Sequence, residues 1–172
     1  MGFNRQRKHV LFYAEDEATR NLAQGFVESN KIDDSRCYVF HEFGHGWQST
    51  EEAVSKVKMS RYPDTHLVLV VDCDKKGYAR IEKIKNDLGS IDCRNRVYVL
   101  GTAEDAERFS AVMAARANVR RFSMNAAGCA LADAFSADES CLNGIWGEPE
   151  LAHNKAELIR LCESVKDIIF LP

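Results

Sequence analysis

The feature that most constrains the fold of this chain is an alternation of short apolar runs with segments of helical periodicity. The runs are rich in Val, Leu and aromatic residues and occupy residues 9–14, 37–40, 66–71 and 97–100. Each is apolar at consecutive positions, which is typical of a strand buried on both faces. The alternation predicts an α/β fold with a mostly parallel sheet of four to five strands flanked by helices.

Helix signals follow each of these runs. The first helix is expected to reach about Asn30, and the second to begin at a capping box formed by Ser49 and Glu52. A third amphipathic helix lies between Gly77 and Gly89, and a fourth follows the last apolar run. Strands and helices that alternate in this way favour right-handed βαβ crossovers.

The last third of the chain is less regular. Residues 119–124 are a candidate fifth strand, residues 126–135 are a candidate short helix, and a capping pattern precedes a last amphipathic helix. No linker, repeat or low-complexity segment divides the sequence. We therefore expect one domain over residues 1–172, with a core of about 8–118 and a C-terminal helical extension of about 119–172 that covers the sheet.

The composition is that of an ordinary globular protein, with 45% hydrophobic and 28% charged residues. The net charge of −3 gives no general attraction to nucleic acid, which would need a local basic patch or a metal ion. No apolar run reaches the length of a membrane span, so no membrane association is expected. The six cysteines are scattered without a Cys-x-x-Cys pair, which favours reduced thiols in a cytoplasmic protein.

Two acids stand at the end of the third apolar run, in the segment Asp72-Cys73-Asp74, and are followed by Lys75 and Lys76. Residues i and i+2 of an extended chain point the same way. Both carboxylates can therefore face one point beyond the carboxyl end of the sheet, where open parallel sheets bind ligands. This pattern favours a hard cation such as Mg²⁺, and a solvated turn is the alternative.

Further acids follow the first and fourth runs. They are Glu15, Asp16, Glu17, Glu104, Asp105 and Glu107. If strands one and three are neighbours, these acids converge with Asp72 at one rim of the sheet. Carboxylates at close range repel one another, and a bound cation or shared protons relieve that repulsion.

At these positions the sequence resembles the Toprim domain, the metal-binding domain of topoisomerases, primases, overcoming-lysogenization-defect nucleases and small stand-alone bacterial proteins. The family pattern is a strand ending in Glu, then a helix, then a later strand ending in Asp-x-Asp. Residues 10–15 and 67–74 stand in those places. Asp16 replaces the usual Gly after the first Glu, which leaves open which neighbouring acid lies in the site. Lys76 replaces the third acid of topoisomerase-type members.

The resemblance implies a compact Toprim-like, Rossmann-like fold and nuclease-like action on nucleic-acid phosphodiesters with Mg²⁺ or Mn²⁺. The residues that it implies for the site are Asp72, Asp74 and Glu104 as metal ligands, Glu15 and Glu17 as catalytic acids or bases, and Lys75 and Lys76 as phosphate contacts. The lysines could equally be solvated residues at a helix start. The resemblance also implies a possible ATPase partner, and the oligomeric state is left open.

A second interpretation is a response-regulator receiver domain, which is a signalling module. Residues 10–22 look like its acidic first loop. Asp72 would then be the phospho-acceptor and Thr102 the switch hydroxyl at the end of strand four. Against this interpretation, the candidate fifth strand carries no lysine at its end.

A third interpretation is a zinc metalloprotease. Residues 41–45 fit His-Glu-x-x-His, in which His41 and His45 would bind zinc from one helical face and Glu42 would act as base. Gly44 and Gly46 weaken a helix there. The pattern therefore favours a loop after strand two.

Overall fold

A sheet of four parallel strands forms the centre of the computed structural model, which describes residues 7–40, 50–73, 77–89, 91–103, 105–137 and 144–171. The strands are β1 (His9–Ala14), β2 (Cys37–Val39), β3 (Thr65–Asp72) and β4 (Val97–Thr102). Their order in the sheet is β2-β1-β3-β4, and every neighbouring pair is parallel. The predicted α/β fold with a mostly parallel sheet, as in Rossmann-like folds, is confirmed.

Helices flank the sheet. They are α1 (Glu17–Glu28), α2 (Thr50–Val57), α3 (Tyr78–Leu88), α4 (Ala106–Arg116), α5 (Met124–Ala137) and α6 (Lys155–Ile169). Short 3₁₀ turns lie at Met59–Arg61, Arg94–Arg96, Gly144–Gly147 and Ala152–Asn154. The helix expected at 126–135 is part of α5, and the last predicted helix is α6. Within the described ranges, no helix has both the length and the apolar composition of a membrane span.

Alternate strand residues face two separate hydrophobic clusters. Val10 and Phe12 of β1 face a cluster that includes α1, α5 and α6, whereas Leu11 and Tyr13 face one that includes α2 and α3. β3 is buried at every position, because it has helices on both faces and a strand at each edge. This explains why its sequence is apolar at consecutive rather than alternate positions.

The outer edge of β4 is covered by the C-terminal segment instead of a fifth strand. Residues 119–123, predicted as part of that strand, form no strand and are mostly exposed. The buried Asn154 makes two hydrogen bonds to the edge: the Gly101 N–H donates to its Oδ1 (2.9 Å), and its Nδ2 donates to the Gly101 carbonyl (2.8 Å). The Ala103 N–H donates to the Glu150 carbonyl (2.9 Å). The prediction of a fifth strand is therefore wrong.

The same pattern continues toward the amino end of β4. The Val99 N–H donates to Glu157 Oε2 (3.3 Å), and Arg160 donates to the Val97 carbonyl. The Arg160 guanidinium also lies over the Tyr98 ring, 4.3 Å from its centroid. Alternate residues of an edge strand direct their polar backbone groups outward, so side chains of α6 supply partners that another strand would otherwise supply.

Helices α1 and α5 cross at a separation that only glycine permits. A Cβ atom on Gly25 would lie 1.9 Å from the Asn125 carbonyl oxygen, and one on Gly128 would lie 2.0 Å from the Leu22 carbonyl oxygen. Both glycines are unfavourable in a helix interior. Their presence is explained by the close contact of the two backbones.

Gly25→Ala and Gly128→Ala are each expected to lower the free energy of unfolding by about 3 kcal/mol, because the added methyl group meets rigid backbone. Urea unfolding followed by circular dichroism measures the change. Asn21→Ala, at an exposed position of α1, is the control and should be neutral or slightly stabilising. Unchanged midpoints for both glycine variants would contradict the close crossing.

A buried histidine couples stability to pH. His66 is 7% exposed, and its Nδ1 lies 3.1 Å from the Tyr98 hydroxyl oxygen. Burial, with smaller contributions from Lys8 and Arg96, lowers the pKa of His66 to about 4. The neutral ring is therefore the form that the folded protein holds.

The folded pKa of His66 lies below the unfolded value of about 6.5, so the unfolded chain binds the extra proton between these values. The contribution of His66 to the free energy of unfolding is fully present above about pH 6.5. It is lost as the pH falls toward 4, by about 3 kcal/mol in all. His66→Gln should reduce the slope of this part of the pH dependence in urea unfolding, and the part that comes from His153, whose pKa burial also lowers to about 4, should remain. Parallel curves for wild type and variant would contradict the assignment.

Candidate functional site

The carboxyl ends of β1 and β3 bring two acids together. Glu15 directly follows β1, and its N–H still donates to the Val70 carbonyl of β3 (3.1 Å). Asp72 is the last residue of β3. Glu15 and Asp72 are only 8% and 5% exposed, which is unusual for carboxylates. The pairing of β1 with β3 thus places both acids at one rim of the sheet.

The two acids are in direct contact. The Asp72 N–H donates to Glu15 Oε2 at 3.2 Å. Asp72 Oδ2 accepts a hydrogen bond of 3.3 Å from the N–H of Ala106, the first residue of α4. A helix N-terminus carries partial positive charge, so α4 stabilises negative charge on Asp72.

A guanidinium from α3 offsets part of this negative charge. Arg80 forms an ion pair with Glu15 and donates to the Asp72 carbonyl. The side chains of Arg80 and Glu15 are 18% and 10% exposed, so the pair is largely shielded from water. The charge of Glu15 is thus offset by Arg80, while the Asp72 carboxylate is stabilised by the backbone at the start of α4.

Arg80 was not predicted from the sequence, although a signal for it exists. A cation in the first turn of a helix opposes the helix dipole, and that turn of α3 contains no acid. An arginine at this position therefore calls for a partner outside the helix. The partner, Glu15, is 65 residues away in the chain, and only the fold identifies it.

The acids beside Glu15 have different surroundings. Asp16 caps α1, since its Oδ1 accepts from the Thr19 N–H (2.8 Å) while the Thr19 hydroxyl oxygen accepts from the Asp16 N–H (3.1 Å). Glu17 lies in the first turn of α1 with an exposed side chain. Among these three acids, Glu15 is the one that contacts both Asp72 and Arg80.

Several predicted site residues lie outside the described residues. They are Asp74, Lys75, Lys76 and Glu104, together with His41, Glu42 and His45 of the metalloprotease interpretation. In the part of the chain that the structure describes, no group of three or more His, Cys, Asp or Glu side chains is arranged to hold a metal ion. Of the described acids at the rim, Asp16 and Asp105 cap α1 and α4, Glu17 and Glu107 lie in the first turns of these helices, and Glu15 and Asp72 contact each other.

Thr102 lies at the same rim. It is the Cα partner of Asp72 in the β3–β4 pairing and is 2% exposed. An Asp at the end of one strand with a hydroxyl at the end of the next is the arrangement that the receiver interpretation requires.

The C-terminal segment also adjoins this region. The Tyr78 hydroxyl donates to the Pro149 carbonyl (3.1 Å), and the Tyr78 ring lies 4.8 Å from the ring of His153. Burial lowers the pKa of His153 to about 4, so the ring is neutral at neutral pH. The segment that supplies Asn154 to β4 therefore also contacts the start of α3, two residues before Arg80.

The chemistry of the rim fits a hard divalent cation. Its donors are carboxylate oxygens, and Mg²⁺ is held in proteins by one or two carboxylates with water and substrate oxygens. The carboxylate of Glu15 accepts from the backbone N–H of Asp72 and pairs with Arg80, and the carboxylate of Asp72 lies at the same rim. A cation bound there would be stabilised by these acids.

Comparison of the chain with protein-family models, curated proteins and solved structures gave no significant match. A fold of this kind hosts many activities, so the case for a function depends on the site residues and on the sequence pattern.

Arg80→Met is expected to lower the free energy of unfolding by about 3 kcal/mol, because it strands the carboxylate of Glu15 in a largely buried position. Glu15→Gln in the same chain removes the stranded charge, so the double variant should regain much of the loss. Urea unfolding of wild type, both single variants and the double variant gives the coupling energy. Additive effects of the two substitutions would show that the ion pair does not contribute to stability.

Proposed function

We propose that this protein is a Mg²⁺- or Mn²⁺-dependent enzyme of the Toprim type that acts on nucleic-acid phosphodiesters. The observation that carries the proposal is the contact between Glu15 and Asp72 at the carboxyl ends of neighbouring parallel strands. These are the positions at which the sequence resembles the Toprim pattern of a Glu after one strand and Asp-x-Asp after a later one.

The charge of the rim supports a cation-dependent reaction. A phosphodiester is an anion, and carboxylates such as those of Glu15 and Asp72 do not attract it. The net charge of −3 on the whole chain gives no general attraction to it either. A bound divalent ion supplies positive charge for the phosphate and acidifies a water molecule.

The proposed roles follow from position. Asp72 and Asp74 are the proposed metal ligands, with Glu104 as a further acid. Glu15 is the proposed general base or acid, since it lies beside Asp72 and is oriented by Arg80. Arg80 is thus a positioning residue, because it holds the Glu15 carboxylate against the end of β3.

The remaining roles depend on the sequence pattern. Lys75 and Lys76 are proposed to contact substrate phosphate. Glu17 has an exposed side chain in the first turn of α1 and is proposed as a second catalytic acid. An ATPase partner is proposed from the family resemblance alone.

A receiver-like signalling function is a second candidate, because Thr102 pairs with Asp72 across β3 and β4. In that case Asp72 itself would be phosphorylated, and Asp74 would not be the acceptor. The two candidates therefore differ in the chemistry that they assign to Asp72.

Mn²⁺ binding tests the proposed function directly. Binding is measured by the electron paramagnetic resonance of free Mn²⁺, on the wild type and on Asp72→Asn/Asp74→Asn, which removes charge with little change in shape. The matched control is Glu163→Gln/Asp167→Asn, two exposed acids of α6. We expect the rim variant to weaken binding by at least about tenfold, since both carboxylate ligands are lost, and the control to bind like the wild type.

Cleavage of labelled single- and double-stranded DNA and RNA with Mn²⁺ is then compared in the same proteins and in Glu15→Gln. We expect loss of cleavage in the rim variant and in Glu15→Gln but not in the control. Wild-type protein that neither binds Mn²⁺ nor cleaves would refute the proposal. Labelling by acetyl phosphate that is lost in Asp72→Asn and kept in Asp74→Asn would favour the receiver function. Bound zinc that survives in the rim variant would favour the His41 and His45 site.

A further inference from the structure

A groove of about 870 Å³ lies at the opposite end of the sheet from the acidic rim. It is formed by the end of α2, the 3₁₀ turn at Met59–Arg61 and the connection between α3 and β4. Arg61 and Arg96 line it, and these residues precede β3 and β4 respectively. The length of β3, at about 3.3 Å per residue, puts roughly 25 Å between the groove and the rim.

The groove is lined by more positive than negative charge. Its charged lining residues are Lys58, Arg61, Arg96 and Asp92, and the hydroxyls of Ser55 and Ser60 line it as well. Across the described residues, no carboxylate forms an ion pair with any of the three cations. The excess of cations and hydroxyl donors is suited to an anion.

Arg96 is held in a fixed orientation. Its Nη1 donates to the carbonyls of Tyr62 (3.1 Å) and Thr65 (2.7 Å), which lie at the start of β3. A guanidinium fixed in this way loses little conformational entropy when it binds a ligand.

Helices α2 and α3 both end at the groove, and helix C-termini attract cations. That attraction alone could explain a lysine or an arginine there. However, the backbone N–H of Lys58 donates to the Ser55 carbonyl (3.0 Å) at the end of α2. At the end of α3, the side chain of Arg94 donates to the Gly89 carbonyl (3.2 Å). These two hydrogen bonds come from the Lys58 backbone and the Arg94 side chain, and not from the side chains of Lys58 and Arg61.

Lys58 has a backbone conformation that disfavours a lysine. It directly follows α2 with φ 57° and ψ 42°, in the left-handed region where glycine is preferred after a helix. Among the described residues, Asn118 is the other non-glycine residue with positive φ, and asparagine tolerates this region better than lysine does. A lysine therefore lines the groove at a position where the backbone conformation favours glycine.

We propose that this groove binds the polyphosphate group of a nucleotide-sized phosphorylated molecule. Lys58, Arg61 and Arg96 would contact the phosphates. Val54 and Ile91, which also line the groove, offer an apolar surface for a ring. The volume lies within the range of small-molecule sites. The site is separate from the rim and does not depend on the function proposed for it.

Isothermal titration of the full chain with inorganic pyrophosphate, and separately with ADP, tests the proposal. EDTA is included so that no metal ion at the rim takes part. We expect the wild type to bind both probes, and Lys58→Gly and Arg61→Gln each to weaken binding by about tenfold, because each removes a charged phosphate contact. Lys83→Gln, at an exposed position of α3, is the matched control and should bind like the wild type. Tighter binding of ADP than of pyrophosphate would assign part of the affinity to the apolar surface.

Lys58→Gly separates ligand binding from a role in folding. Glycine relieves the left-handed strain, so this variant should have a higher urea midpoint than the wild type while its binding is about tenfold weaker. Three results would overturn the proposal: no binding of either probe at millimolar concentration, equal binding by all variants, or binding of a short RNA but of neither probe. RNA binding that Lys58→Gly and Arg61→Gln weaken would identify the groove as a nucleic-acid surface.

Discussion

The complete burial of β3 is the constraint on which the rest of the structure depends. With a strand at each edge and helices on both faces, β3 can carry only apolar or internally paired side chains along its length. The first position at which it can present a carboxylate toward a ligand is where it leaves the sheet, and Asp72 stands there. The burial that forms the core therefore also determines where the candidate site lies.

The edge strand β4 poses a different physical problem. Among the strands that the structure describes, none pairs with the outer edge of β4, and an exposed row of backbone donors and acceptors can pair with another chain. The side chains of Asn154, Glu157 and Arg160 form hydrogen bonds with these backbone groups of β4. Because Asn154 is fixed against Gly101, the adjacent His153 is fixed against α3, and the C-terminal segment becomes part of the surroundings of the rim.

A strand buried on both faces is apolar at consecutive positions, which is why the four strands and their mostly parallel sheet could be predicted. The sequence left open which of Glu15, Asp16 and Glu17 approaches Asp72, because that depends on the pairing of β1 with β3. Whether a fifth strand pairs with β4 could not be predicted from the apolar pattern alone. Residues 119–124 contain apolar and β-branched residues, but whether β4 needs a strand beside it depends on side chains some 30 to 40 positions later.

Arg80 and the two glycines of the α1–α5 crossing were missed for a related reason. Each is unfavourable in its own helix, by charge for Arg80 and by backbone entropy for Gly25 and Gly128. The compensating partner lies in another element in each case. A local pattern can show that such a residue is unfavourable in its own helix, but only the fold identifies the contact that offsets this cost.

Residues that are unfavourable in their local structure lie at both ends of the sheet. Buried acids lie at the rim, whereas cations line the groove. At the rim, Glu15 and Arg80 form a largely buried ion pair, an arrangement that often contributes less to stability than an apolar packing of similar volume. At the groove, a left-handed lysine joins two arginines. Such departures are expected where function rather than folding selects the residue. Because about 25 Å of sheet separates the two places, one small anion cannot span both. The phosphate ligand proposed for the groove and the metal-bound substrate proposed for the rim would therefore be different molecules, or distant parts of one long one.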